Sequence, residues 1–166
     1  MNYSECIENA RTRIGNYCKA CPECNGRACK NQMPGPGAKG IGDTAIRNYD
    51  KWKEIRVQMD TIAENKPVDT SLELFGKKFL YPFFAGPVGA VGLHYGDCLD
   101  DVRYNDILVS ACAKYGIAAF TGDGLDSNVM VAATKAIGKT DGIGIPTVKP
   151  WNIDTVAEKM KMVQES

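Results

Sequence analysis

From Tyr81 onward, short apolar runs alternate with stretches of helical periodicity, and this alternation restricts the fold more than any other feature of the chain. Tyr81, Phe83, Phe84 and Ala85 suit a buried strand, after which Tyr104 to Tyr115 places Ile107, Leu108, Ala111 and Cys112 on one helical face and Gly116 stops the helix. Ile117 to Phe120 reads as a second strand, Asn128 to Ile137 as a second helix and Gly142 to Val148 as a third strand, with Asp154 capping a third helix. Strands and helices in strict succession require crossover connections and a parallel sheet, whose C-terminal strand ends share the face where ligands bind.

Those ends carry Gly86-Pro87-Val88-Gly89, Thr121-Gly122-Asp123-Gly124 and Thr147-Val148-Lys149-Pro150. Gly86, Gly89 and Gly92 lack a Cβ, so backbone can come close to a ligand there; the alternative is a loop rich in glycine for conformational reasons alone. Asp123 suits either a hydrogen bond to a polar ligand edge or a turn. The pattern is that of the first three units of a (β/α)8 barrel, a fold of about 250 residues that 166 residues do not complete.

The residues before this body divide differently. Asn2 to Gly15 has the spacing of a short amphipathic helix, with Ser4 as N-cap and Cys6, Ile7, Ala10 and Ile14 on its apolar side. Cys18, Cys21, Cys24 and Cys29 follow in a C-x2-C-x2-C-x4-C array, folded by turns through Pro22 and Asn25-Gly26. Such an array suits an iron–sulfur cluster or zinc, disulfide or redox thiols, or reduced structural cysteines, whereas Cys6, Cys98 and Cys112 read as core cysteines. Gln32 to Gly42 is a glycine- and proline-rich linker, giving a Cys-rich segment over 1–34 and a barrel portion over 35–166. Asp43 is placed to cap a helix from Thr44 to about Ile55, burying Ile46, Trp52 and Ile55, and Val68 to Phe79 alternates about Phe75-Gly76 as a hairpin does, or as plug strands closing one end of a larger body do.

Composition excludes several function classes. Lysine plus arginine and aspartate plus glutamate both number 20, so no net field draws the chain to nucleic acid or an anionic membrane. No apolar run approaches the roughly 18 residues of a membrane span, and the polar N-terminus lacks a signal-peptide core, so the expected location is the cytoplasm.

Several motifs in order resemble the FMN-dependent α-hydroxy-acid oxidases and dehydrogenases, the glycolate oxidase and lactate oxidase family. They are the glycine-rich stretch from Gly37, Arg47-Asn48 on the following helix, Asp69-Thr70-Ser71 with Leu74-Phe75-Gly76, and Pro82 to Gly89 on the first strand. The cysteine array further resembles a subgroup of these proteins from anaerobic bacteria. The resemblance implies an FMN cofactor lying against the backbone of Ala85, Gly86, Pro87, Val88 and Gly89. It also implies contacts near Thr121 and Gly122 and near Thr147 and Lys149, within about one residue of alignment, where the family has Ser and then Gln and Tyr. Lys149 would neutralise a phosphate or the N1 region of a reduced flavin, unless it is a solvated lysine before Pro150.

The substrate implied is a small 2-hydroxy acid. Met33-Pro34-Gly35-Pro36 stands where the family has a substrate-binding Tyr, and neither the family's S-N-H-G-G-R motif with its catalytic His nor its flavin-contacting Lys is in this sequence. His94, the single histidine, lies outside any such motif. The expectation is therefore a flavin oxidoreductase represented by a partial chain that is not a competent enzyme alone, associating with a second copy or a complementing chain. The other reading is a non-catalytic half-barrel or a metal-binding cysteine module that acts by association.

Overall fold

The computed structural model describes residues 2–15, 17–29, 43–141 and 143–166, which form two compact units. The linker Gln32–Gly42 and the Met33–Pro36 substitution for the substrate Tyr lie outside the described residues.

The first unit contains residues up to Pro67 together with Gly92–Cys98. Helix α1 runs from Tyr3 to Arg11 and is capped by Asn2, not Ser4: the Asn2 side chain accepts from the Glu5 N–H while the Glu5 carboxylate accepts from the Asn2 N–H. This reciprocal box satisfies two donors at once, which Ser4, already inside the first turn, cannot do. The helix ends well before Gly15, whose N–H instead donates to the Tyr95 carbonyl at 2.6 Å. Helix α2 covers Thr44–Trp52, and Asp43 precedes it without making a side-chain cap. Trp52 and Ile55, expected to be buried, are exposed among the described residues, the helix stopping at Trp52.

The second unit, Val68–Val91 with Leu99–Ser166, holds the parallel sheet. Strands β1 (Leu72–Leu74) and β2 (Lys77–Phe79) form the antiparallel hairpin expected from the alternation. Phe75 and Gly76 both take positive φ, as a tight two-residue hairpin turn requires. The short helix α3 spans Val91–Tyr95, and α4 follows from Asp101 to Lys114 with Asp100 as its cap. Strand β3 (Phe120–Thr121) leads to α5 (Ser127–Gly138), and strand β4 (Ile145–Pro146) to α6 (Ile153–Glu165).

Hydrogen bonds join the three expected strand positions in chain order. Ala85 bridges Ala119 in parallel, its N–H donating to Ala118 and its carbonyl accepting from Phe120, and β3 pairs in parallel with β4, Phe120 opposite Ile145 and Thr121 opposite Pro146. Asn152, not Asp154, caps α6 by accepting from the Thr155 N–H; Asp154 sits in the first turn.

The core lies between this sheet and the helices, where Val109 and Cys112 of α4 and Ala136 and Ile137 of α5 meet Ala119, with Ala85, Leu108 and Ile117 against them. The buried face of α4 is thus Asn105, Leu108, Val109 and Cys112, about one residue's rotation from the expected face; Ile107 and Ala111 point outward. The stripe is set by where α5 packs, which local periodicity does not specify. Tyr81 and Phe83 are exposed where a buried strand was expected, and stack on one another with ring centroids 5.6 Å apart. Among the described residues no helix is long and apolar enough to cross a membrane.

Candidate functional site

Side chains on a strand alternate between its two faces. Ala85 and Ala119 turn toward the helices, so Phe84 and Phe120 turn the other way, and their rings meet edge to face at 6.5 Å. On that side lies an open cleft of about 700 Å³ lined by Pro82, Phe83, Phe84, Gly86, Pro87, Phe120, Pro146 and Thr147. The cleft brings together Gly86, Pro87 and Thr147 from the sequence-based set, at the ends of the first and third strands. A Cβ placed on Gly86 would meet no atom of the described residues within 4 Å, so the backbone there faces open space among them.

Gly89 and Gly122 instead serve packing between loops. A Cβ on Gly122 would overlap the Val88 carbonyl, and one on Gly89 would come within 2.9 Å of the Asp123 carbonyl oxygen. Val88-Gly89 and Gly122-Asp123 therefore interlock, which gives the glycines at these two positions a conformational reason. Ala90, next in line, adopts φ of 53°, a conformation L-residues rarely take.

Thr121 corrects one expectation. Adjacent to Phe120 on an alternating strand, it takes the helix-facing side with Ala119 and is fully buried. Its hydroxyl has no hydrogen-bond partner among the described residues, and neither polar atom of the buried Asn105 side chain has one. Thr121 is therefore not among the residues that line the cleft.

Asp123 is the most connected side chain of the region. It is 1% exposed, and its carboxylate accepts from the Lys149 N–H at 2.8 Å, from the Trp151 indole at 2.7 Å and from the Lys159 ammonium, which also donates to the Gly124 carbonyl at 2.9 Å. Burial by itself would push this carboxyl up, but the bonds from Lys149, Lys159 and Trp151 and the charge of Lys159 outweigh it and hold the group below the usual carboxylate range. Asp123 takes a role that neither expectation named: its side chain ties the end of β3 to the segment after β4 and to Lys159. The Lys149 side chain is exposed, its ammonium 5.9 Å from the Trp151 ring centroid, with no carboxylate partner among the described residues.

Lys159 was missed by sequence reading. The signal was present: on α6 the partly or fully buried positions are Thr155, Val156, Lys159, Met162 and Val163, so a lysine occupies the apolar stripe at helical spacing. A charge on a core-facing stripe demands a buried counter-charge, and Asp123 supplies it.

In the first unit the cysteine segment turns where expected, Gly26 taking φ of 75° and Asn25 accepting from the Arg27 N–H. All seven cysteines are free thiols. Burial pushes the Cys29 thiol up, and nearness to Cys24, with lesser effects of Cys18 and Cys21, acts the same way. The thiols are neighbours, yet among the described residues no group of three or more Cys, His, Asp or Glu is arranged to hold a metal ion. Cys18, Cys21, Cys24 and Cys29 therefore do not form a ligand set for a zinc ion or a cluster in this arrangement. Of the three expected core cysteines only Cys112 is buried; Cys6 and Cys98 are exposed. His94 packs edge to face on Tyr95.

No curated protein and no solved structure matches the chain. A family model described as FMN-dependent dehydrogenase matches residues 35–146, more than half of the sequence. That span contains Ala85 to Gly89, Thr121, Gly122 and Asp123, and leaves outside it the cysteine array, Thr147, Lys149 and Lys159. The chain belongs to the FMN-dependent dehydrogenases, a family of flavoprotein oxidoreductases.

Proposed function

We propose that this chain holds FMN across the cleft at the ends of its parallel strands, as consecutive units of a (β/α)8 barrel, and that it is the cofactor-binding part of an oxidoreductase acting on a small 2-hydroxy-acid-like substrate, not a competent enzyme alone. The observation that carries this reading is Gly86, whose open Cβ position leaves the main chain bare to a planar ring at the mouth of an apolar cleft. Phe84 and Phe120 supply a flat apolar wall beside it. When bound, FMN supplies the two-electron acceptor.

The chain's own residues bind and orient. The backbone about Gly86 and Pro87 and the side chain of Thr147 would hold the flavin in the cleft, Ala85, Val88 and Gly89 continuing that backbone, Thr121 and Gly122 would support it from behind, and Lys149 would offer a cation to a phosphate or to negative charge on the reduced ring. Interlocked loops at Val88-Gly89 and Gly122-Asp123 keep these groups in place before ligand arrives. The exposed Tyr81 and Phe83 suit association with a second copy or a complementing chain.

Titration of the purified chain with FMN, followed by quenching of flavin fluorescence, tests the first part; saturable binding is expected, and its absence in the wild-type chain overturns the reading. Anaerobic addition of lactate or glycolate tests the second: without an S-N-H-G-G-R motif this chain alone is expected to leave the bound flavin's visible absorption unchanged, and bleaching by either acid would show that it is a competent enzyme by itself. The alternative, a metal- or cluster-binding cysteine module, has the weaker support because the sulfurs are not arranged as a ligand set; iron and zinc analysis of anaerobically purified protein tests it.

A further inference from the structure

We infer that Lys159 is a positioning residue for the proposed flavin site, acting through Asp123 to lock the loop after β3 against the segment after β4. The inference rests on the FMN reading for its functional consequence, and on the geometry alone for the locking itself. The Lys159 ammonium holds the Asp123 carboxylate and the Gly124 carbonyl together, so it fixes both the side chain and the backbone of the β3 loop. The same carboxylate holds the Lys149 N–H and the Trp151 indole, and the Lys159 ammonium lies 4.9 Å from the Trp151 ring centroid. One buried cation on α6 thus anchors two strand-end loops, one bearing Gly122 and the other Lys149.

Other ways of holding these loops would not need the cation. Asp123 could accept from Lys149 and Trp151 without it, but its remaining oxygen would then be buried with no donor, and the Gly124 carbonyl would lose its bond. The loop would rotate to rehydrate those atoms, carrying Gly122 off Val88 and releasing the indole. The distinction from a merely structural ion pair is that removing both charges together would restore folding but not loop order.

The test uses Trp151 as reporter in a Trp52→Phe background, which removes the only other tryptophan, an exposed one. In that background Lys159→Met and the double variant Asp123→Asn with Lys159→Met are compared without FMN. The double variant leaves no unpaired buried charge and is expected to melt close to the parent. In both variants the Trp151 emission is expected to shift to the red and to become more accessible to acrylamide. The FMN dissociation constant is then measured for all three, with at least a tenfold weakening expected in each variant. A double variant that folds, keeps the parent's Trp151 emission and quenching, and keeps the parent's FMN affinity overturns the inference. Should Lys159→Met not fold, the double variant decides alone. A parent that binds no FMN refutes the cofactor reading, while the Trp151 measurement still decides whether Lys159 locks the loops.

Discussion

The carboxylate of Asp123 and the ammonium of Lys159 form an ion pair inside the second unit, their side chains 0% and 4% exposed. Both are almost wholly buried, so each depends on the other, on the bonds that Asp123 accepts from Lys149 and Trp151, and on the bond that Lys159 donates to the Gly124 carbonyl to offset its desolvation. Replacing Asp123 by Ala strands a buried ammonium and frees two donors, and should destabilise the protein by about 3–5 kcal/mol. Urea denaturation of the variant against wild type measures this; a loss below about 1 kcal/mol would show that the pair is dispensable.

The same carboxyl gives the acid dependence of stability. Its folded pKa is depressed below that of the unfolded chain, so the folded state binds its proton less readily. Its contribution is therefore present above the ordinary aspartate value of about 3.9 and is lost as pH falls from there through the folded pKa. Denaturation midpoints taken across this acid range should fall more steeply for wild type than for the Asp123→Asn, Lys159→Met double variant, and parallel slopes would contradict the assignment.

Gly86 and Gly122 should respond oppositely to the same change. Gly86→Ala projects a methyl into open space, so the melting temperature should stay within about 2 °C, a shift expected of well under 1 kcal/mol, while FMN affinity falls about tenfold. Gly122→Ala meets the Val88 carbonyl and should cost about 1–3 kcal/mol of stability in addition to affinity. Thermal melts paired with flavin titrations separate the two; unchanged FMN affinity in Gly86→Ala would remove that backbone from the site.

Thr121→Val keeps the shape of a side chain whose buried hydroxyl has no partner among the described residues. Removing an unsatisfied polar group of this kind should stabilise the fold by about 1 kcal/mol, read as a higher urea midpoint. Because the side chain faces the helices, FMN affinity should be unaffected. A marked loss of affinity would place the hydroxyl at the flavin instead.

Cys112 should resist alkylation. Burial pushes its thiol up, disfavouring the reactive thiolate, whereas Cys6, Cys24 and Cys98 are exposed. Timed labelling of the native protein with iodoacetamide, followed by peptide mass spectrometry, should show these three modified first and Cys112 last. Joint protection of Cys18, Cys21, Cys24 and Cys29 would instead reveal a bound metal or cluster.

The order of elements was legible in the sequence because it rests on local physics. Apolar runs, helical spacing and glycines after strands are read within a few residues, and they place the Ala85, Phe120 and Ile145 segments, the hairpin at Phe75-Gly76 and the stop at Gly116. The ordered motifs from Gly37 to Pro87 likewise indicated the family that the matched span bears out. Caps were less legible, since Asn2 and Asn152 compete with nearby Ser4 and Asp154 and the winner is whichever side chain meets a free N–H. What only the tertiary structure decided depends on partners far apart in the chain. The face of α4 that turns inward is chosen by α5, and the side on which Thr121 lies follows from the pairing of β3 between Ala85 and Ile145. Asp123 looked like a turn residue or a ligand contact until Lys159, 36 positions later, came to rest against it. No local pattern fixes such a pair, because the desolvation that makes it necessary exists only once α6 has packed over the end of the sheet.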